Sequence, residues 1–189
     1  MAIKKTHTES GTYFCTFTCL KWLPLIDATN MYDNIYKWFN LLINDGHQIT
    51  GFVIMPNHVH LLLHVNGAQS SVNKILANGK RFMAYEIVAR LEAMERMDLL
   101  TILSDHVSPE EHNRKKKHRV FEPSSDIKLC FTEKFVLQKL KYTHANPVSG
   151  KWNLAPSAVD YRHSSCAFYE LNHEHPFVKI THYKDLVGY

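Results

Sequence analysis

The chain switches several times between two hydrophobic periodicities, and the switches mark its elements. Tyr13 to Leu20, rich in aromatic and threonine residues, reads as a first strand. Met31, Ile35, Trp38, Phe39 and Leu42 then follow helical spacing, with Asn30 placed to cap the helix and Asp45-Gly46 to end it. His47 to Ile54 and His58 to Val65 read as two strands joined by the tight hairpin Met55-Pro56-Asn57. Ser70 or Ser71 opens a long helix with Val72, Ile75, Leu76, Met83, Ile87 and Leu91 on one stripe. Gly79 lies inside it at a cost of ~1 kcal/mol relative to alanine, which points to a close contact there. The segment from Ala93 to Arg119 is less regular: Leu99 to Leu103 is compatible with helix, and Ser108-Pro-Glu-Glu111 reads as a capped helix start. Short extended pieces follow between Val120 and Phe131, and Thr132 caps a last helix that Pro147 stops. The order is strand, helix, strand, strand, helix, strand, helix. Its first six elements give an α+β class, a ferredoxin-like antiparallel sheet with helices on one face, and the seventh is a third core helix.

Composition narrows this picture without changing it. The 189 residues are 45% hydrophobic and 12% aromatic, as in globular proteins. A single domain spanning residues 1–189 is expected, with a core of about 12–148 and a C-terminal extension over 149–189. The net charge of +4 is modest, but together with the aromatics it fits a nucleic-acid partner. No apolar run reaches the ~20 residues of a membrane span, and the N-terminus lacks a signal-peptide core, so a cytoplasmic location without membrane contact is expected. Cys15, Cys19, Cys130 and Cys166 lack Cys-x-x-Cys spacing and are read as reduced thiols.

The chemistry concentrates in two segments. In His58-Val59-His60 strand alternation puts both imidazoles on one face, with Cα atoms ~7 Å apart, a separation that suits two ligands of one ion. His64 shares that face but lies ~13 Å beyond His60, too far to join them, and is read as a polar strand end or a DNA contact. On the last helix the core face runs through Val136, Leu140 and His144. Tyr142 falls off that face, on a stripe with Phe135, Lys139 and Asn146, which could lay a phenol and an amide oxygen over a metal on the strand. Imidazole ligands alone would equally suit zinc or nickel.

Val53-Ile-Met-Pro-Asn-His-Val-His-Leu-Leu63 together with Lys141-Tyr-Thr-His-Ala-Asn-Pro-Val148 resembles the HUH single-tyrosine transposases of bacterial insertion sequences. With Asp160-Tyr-Arg-His-Ser-Ser165 downstream, the chain looks most like their REP-associated tyrosine transposase branch, over roughly Tyr13 to Tyr169. Thr143 stands where that branch more often has an aliphatic residue, and the segment from Ala93 to Arg119 is longer and more basic than the core pattern requires.

The resemblance implies Tyr142 as nucleophile, Asn146 as third ligand beside His58 and His60, and Mg²⁺ or Mn²⁺ as the metal. It implies cleavage and rejoining of single-stranded, hairpin-flanking DNA through a 5′-phosphotyrosine. Candidate DNA contacts are Lys80 and Arg81 on the long helix, Lys115, Lys116 and Lys117 in the basic run, and Lys139 beside the tyrosine. Two rival readings are a non-catalytic ferredoxin-like nucleic-acid-binding module and a replication or transfer nuclease with the same chemistry. A monomer is favoured over a homodimer, because the extension has the length to hold the tyrosine helix in place.

Overall fold

The computed structural model describes residues 6–66 and 71–186, so Ser70 lies outside the described residues. Four strands, β1 (Gly11–Thr18), β2 (Gln48–Ile54), β3 (His58–Val65) and β4 (Asp126–Leu129), form an antiparallel sheet in the order β2-β3-β1-β4. That order and the helical crossovers between β1 and β2 and between β3 and β4 are ferredoxin-like, as expected.

Strand alternation divides the core. Tyr13, Cys15 and Phe17 of β1 and Val59, Leu61, Leu63 and Val65 of β3 point to one face. There they pack against α2 (Tyr32–Asn44) and α3 (Val72–Ala93) through Ile35, Phe39, Leu76, Met83 and Ile87. Residues of the opposite parity, Phe14 and Leu62, pack with Val136 and Leu140 of α6 (Glu133–Ala145). The tyrosine helix therefore crosses the sheet face opposite to α2 and α3, and the odd–even alternation of β3 feeds two separate cores.

Local chemistry explains the boundaries. Ser71 caps α3 by accepting from Lys74 N–H, and Thr132 caps α6 by accepting from Phe135 N–H. In the less regular segment the two expected helical pieces form α4 (Met97–Asp105) and α5 (Pro109–Asn113), the latter opened by a Ser108/Glu111 capping box. Asn30 is not the cap of α2. It adopts a left-handed conformation (φ 48°), and Met31 occupies the cap with its side chain fully buried. The preceding short helix α1 (Leu25–Ala28) takes up the turn there, with Met31 N–H donating to Ile26 C=O. Gly79 meets the close contact its position implies: a Cβ there would stand 2.5–2.8 Å from the Trp38 indole.

The extension after residue 148 packs back onto β2. Ser164 bridges Val53 in antiparallel fashion, Ile54 N–H donates to His163 C=O at 2.8 Å, and Ile180 bridges Ile49 in parallel fashion. Among the described residues no helix is long and apolar enough to cross a membrane. The four cysteines are buried free thiols, as expected.

Candidate functional site

β3 and α6 bring the two chemically distinctive segments together. The ring centroids of His58 and His60 are 4.7 Å apart, and the Tyr142 ring lies edge-on to His60 at 5.1 Å and to Phe14 at 6.1 Å. Both histidines are 4% exposed, whereas Tyr142 is 53% exposed, so the phenol is open to solvent above two sequestered imidazoles. A cavity of about 400 Å³ over them is lined by Trp22, His58, His60, Lys139, Tyr142 and Asn146 among others.

The hydrogen bonds decide the tautomers. Asn57 Nδ2 donates to the Trp22 carbonyl at 2.9 Å, which fixes its amide so that Oδ1 faces His58 Nδ1 at 2.7 Å. Only an Nδ1–H can make that bond, so the neutral ring carries its lone pair on Nε2. Asn146 Nδ2 likewise donates to the Tyr142 carbonyl at 3.2 Å, turning its Oδ1 toward His58 Nε2 at 3.3 Å. Two acceptors then face each other with no hydrogen between them. On the neighbouring ring, Nδ1 of His60 is 2.8 Å from the Thr16 hydroxyl, while its buried Nε2 has no partner. Thr16 is the cross-strand neighbour of His60, so the strand register itself supplies this contact.

Burial pushes His58 down to about 4, and it pushes His60 down to about 3 with help from His58 and the Lys139 ammonium. Both rings are therefore neutral near pH 7, the form that ligates metal. Facing acceptors on His58 and Asn146 plus an unpartnered nitrogen on His60 fit a cation, with Asn57 and Thr16 orienting the two rings from behind. Among the described residues no group of three His, Cys, Asp or Glu side chains is placed to hold a metal, and the oxygen that faces His58 Nε2 is that of the Asn146 amide.

Of the other expected residues, Lys139 enters the site. Its ammonium stands 4.6 Å from the Phe14 ring centroid and 5.8 Å from that of Tyr142. Lys80 turns inward, donating to the Glu122 carbonyl at 2.7 Å and to Ser125 Oγ at 3.3 Å, and it does not line the cavity. Arg81 lies over Phe82 on the α3 surface, and Lys116 pairs with Glu111 at 2.8 Å. Neither these nor Lys115 and Lys117 line the cavity. His64 is 2% exposed and 3.0 Å from Thr12 Oγ1, so burial removes it as a DNA contact.

Three features escaped the sequence reading: the orienting pair Thr16 and Asn57, the indole of Trp22, and an anchor on the far side of α6. There His144 Nε2 lies 2.8 Å from Ser165 Oγ, which accepts from Phe52 N–H at 2.9 Å. Gly51 of β2 makes room for this packing, since a Cβ there would fall 2.4 Å from a Leu140 methyl and 3.4 Å from Ser165 Oγ. Only the alternation of Tyr142 with His144 along α6 hints at it, by giving the two side chains opposite faces.

No family model matches the sequence, and no curated protein does. Among solved structures the chain shares its fold, a four-stranded antiparallel sheet with helices, with a transposase. The particular structure that carries this is a REP-associated tyrosine transposase bound to a REP hairpin, 14% identical, with a TM-score of 0.55 over 88% of this chain and 83% of that one. A candidate transposase from Deinococcus radiodurans is 15% identical over 75% of this chain and 95% of its own, at a TM-score of 0.43.

Proposed function

We propose that this protein is a metal-dependent DNA strand transferase that cuts and rejoins single strands flanking a hairpin through a 5′-phosphotyrosine. The observation that carries the reading is the meeting of an exposed phenol, Tyr142, with two buried neutral imidazoles and a facing amide oxygen. The shared fold with a hairpin-bound tyrosine transposase supports it.

His58, His60 and Asn146 would hold Mg²⁺ or Mn²⁺, which when bound supplies Lewis-acid polarisation of a non-bridging phosphate oxygen. The chain's own residues do the rest. Tyr142 gives up its phenolic proton to solvent, its oxygen attacks phosphorus, and the bond to the 3′-oxygen breaks, that oxygen taking a proton from solvent to leave a 3′-OH and a tyrosine 5′-phosphodiester. Attack by a 3′-OH reverses the step, so rejoining needs no nucleotide cofactor. The Lys139 ammonium, beside the Tyr142 ring, offsets phosphate charge in the pocket. A binding module without catalysis would account for the fold but not for the facing acceptors.

The test is incubation of hairpin DNA bearing end-labelled single-stranded flanks with protein and Mn²⁺, resolved on a denaturing gel. The expected result is a covalent adduct located at Tyr142 by mass spectrometry, absent in Tyr142→Phe and lost in His58→Ala and His60→Ala. Cleavage without an adduct, or an adduct in the Phe variant, would overturn the tyrosine mechanism in favour of hydrolysis by water.

A further inference from the structure

The loop after β1 carries an unusual side chain in an unusual conformation. Lys21 and Trp22 are consecutive non-glycine residues with left-handed backbones, φ 51° and 59°. Everything around them holds that shape. Leu20 N–H donates to Val120 C=O, Trp22 N–H to Cys19 C=O, Leu23 N–H to Leu20 C=O and Lys21 N–H to the Glu122 carboxylate, while Asn57 Nδ2 donates to the Trp22 carbonyl. Leu20 and Leu25 on either side are buried, yet the indole between them is 59% exposed. Strain held in place by surrounding structure, with a large apolar ring turned to solvent, does nothing for the core.

The ring's surroundings say what it does. Trp22 lines the same cavity as His58 and Tyr142 and stands edge-on to the His58 ring, with centroids 5.6 Å apart. A second indole, Trp152, lines the cavity too, with the Lys151 ammonium 5.2 Å from its centroid. Asn57 joins the two functions in one amide: its oxygen sets the His58 tautomer and its nitrogen holds the Trp22 carbonyl. At about 400 Å³ the cavity has room for more than a phosphate group, since small-molecule sites run from roughly 300 to 1,000 Å³.

We infer that Trp22 is a stacking platform for an unpaired nucleobase adjoining the phosphate received by the pocket of His58, His60 and Tyr142. The inference rests on the proposed function for the identity of the ligand. A rigid indole offers its face to any base, and only an unpaired base has a free face to give, so the platform selects single strand over duplex next to the reacting phosphate. With the loop's backbone held by these hydrogen bonds, only the side-chain torsions of Trp22 remain to be ordered on binding.

The experiment measures binding by fluorescence anisotropy to a hairpin with an unpaired flank of randomised sequence. The same hairpin is then tested with a single abasic position walked along that flank. Wild-type protein is expected to lose about 5- to 150-fold in affinity at one abasic position, the range for one base–aromatic stack. Trp22→Ala should show the same loss on intact DNA and no further loss at that position, while Trp22→Phe retains most of the affinity. Unchanged binding by Trp22→Ala, or additive losses from the variant and the abasic site, would overturn the platform. Adduct formation, assayed in parallel, separates the two readings. An adduct in wild type with no sensitive abasic position removes the platform alone. Abasic sensitivity that depends on Trp22, without any adduct, retains the platform and removes the transferase. Absence of any wild-type binding to the hairpins removes both.

Discussion

His144 Nε2 lies 2.8 Å from Ser165 Oγ, so the helix that presents Tyr142 is tied, on its other side, to the tail segment paired with β2. Tyr142 and Asn146 stand two residues either side of His144, and the bond therefore fixes the rotation of α6 over β3. Ser165→Ala would leave Phe52 N–H and His144 Nε2 without partners in a fully buried site. The expected loss is about 1–3 kcal/mol of stability, measured by urea unfolding. It should be accompanied by slower adduct formation at unchanged hairpin affinity. A variant as stable and as fast as wild type would mean the helix is positioned by its apolar contacts alone.

Asn57 is expected to govern metal affinity from behind the site. Asn57→Ala removes the acceptor that keeps the His58 proton on Nδ1, freeing the ring to turn or to change tautomer. Losses of this kind run at about 10- to 100-fold in affinity. Asn57→Asp, which keeps an oxygen at that place, should recover much of it. Calorimetric titration with Mn²⁺ on both variants decides the matter, and equal affinity in the alanine variant and wild type would rule the role out.

Gly79→Ala should destabilise the protein despite raising helix propensity. The gain is ~1 kcal/mol, but the new methyl would meet the rigid Trp38 indole at 2.5–2.8 Å, and overpacking of that kind costs about 1–3 kcal/mol. Combining it with Trp38→Leu should restore part of the loss, visible as non-additivity in a double-mutant cycle. Additive effects would show that α3 reaches its place without that contact.

Acid should loosen the tail before it denatures the whole chain. His163 stacks on Tyr32 at 3.7 Å and its Nδ1 is 2.9 Å from the Tyr36 hydroxyl. Burial pushes it down to about 4, with Arg162 and His175 acting in the same direction. A histidine depressed in the folded state binds its proton more readily when unfolded, so its contribution is complete above about pH 6.5 and is lost as the pH falls towards 4. Because the ring is partly exposed, screening keeps the slope below about 1 kcal/mol per pH unit. Urea unfolding at a series of pH values should show His163→Phe with a shallower acid limb than wild type, and identical limbs would assign the titration elsewhere.

The parts of this molecule that were legible in the sequence are those in which periodicity carries the information. Alternation in His58-Val59-His60 places both rings on one face, and the helical stripe from Phe135 to Asn146 places Tyr142 off the core, without knowledge of any partner. Thr16 and Asn57 were not legible, because their roles depend on strand register and on an amide orientation set by the Trp22 carbonyl. Trp22 is itself left-handed, as is Lys21 before it, and such a backbone leaves no pattern in the sequence. Lys80 misled for the opposite reason: a lysine on an amphipathic helix says nothing about whether its ammonium reaches solvent or a loop carbonyl such as that of Glu122. Asn30 has good capping chemistry, yet the buried Met31 beside it determines where the helix begins.

The tail that pairs with β2 has a consequence for how copies of this chain can meet. A bare edge strand is a template on which a second chain can add a strand, and β2 would be such an edge were it not covered at Val53 by Ser164 and at Ile49 by Ile180. At the opposite edge, β4 is four residues long and carries the ion pair Asp126–Lys128, a poor surface for continuing a sheet. Growth of the sheet from one molecule into the next would require peeling residues 163–165 and 180–181 away, and with them the serine that holds the tyrosine helix. Resistance to edge-to-edge aggregation and the placement of Tyr142 over His58 and His60 thus depend on the same few residues of the tail.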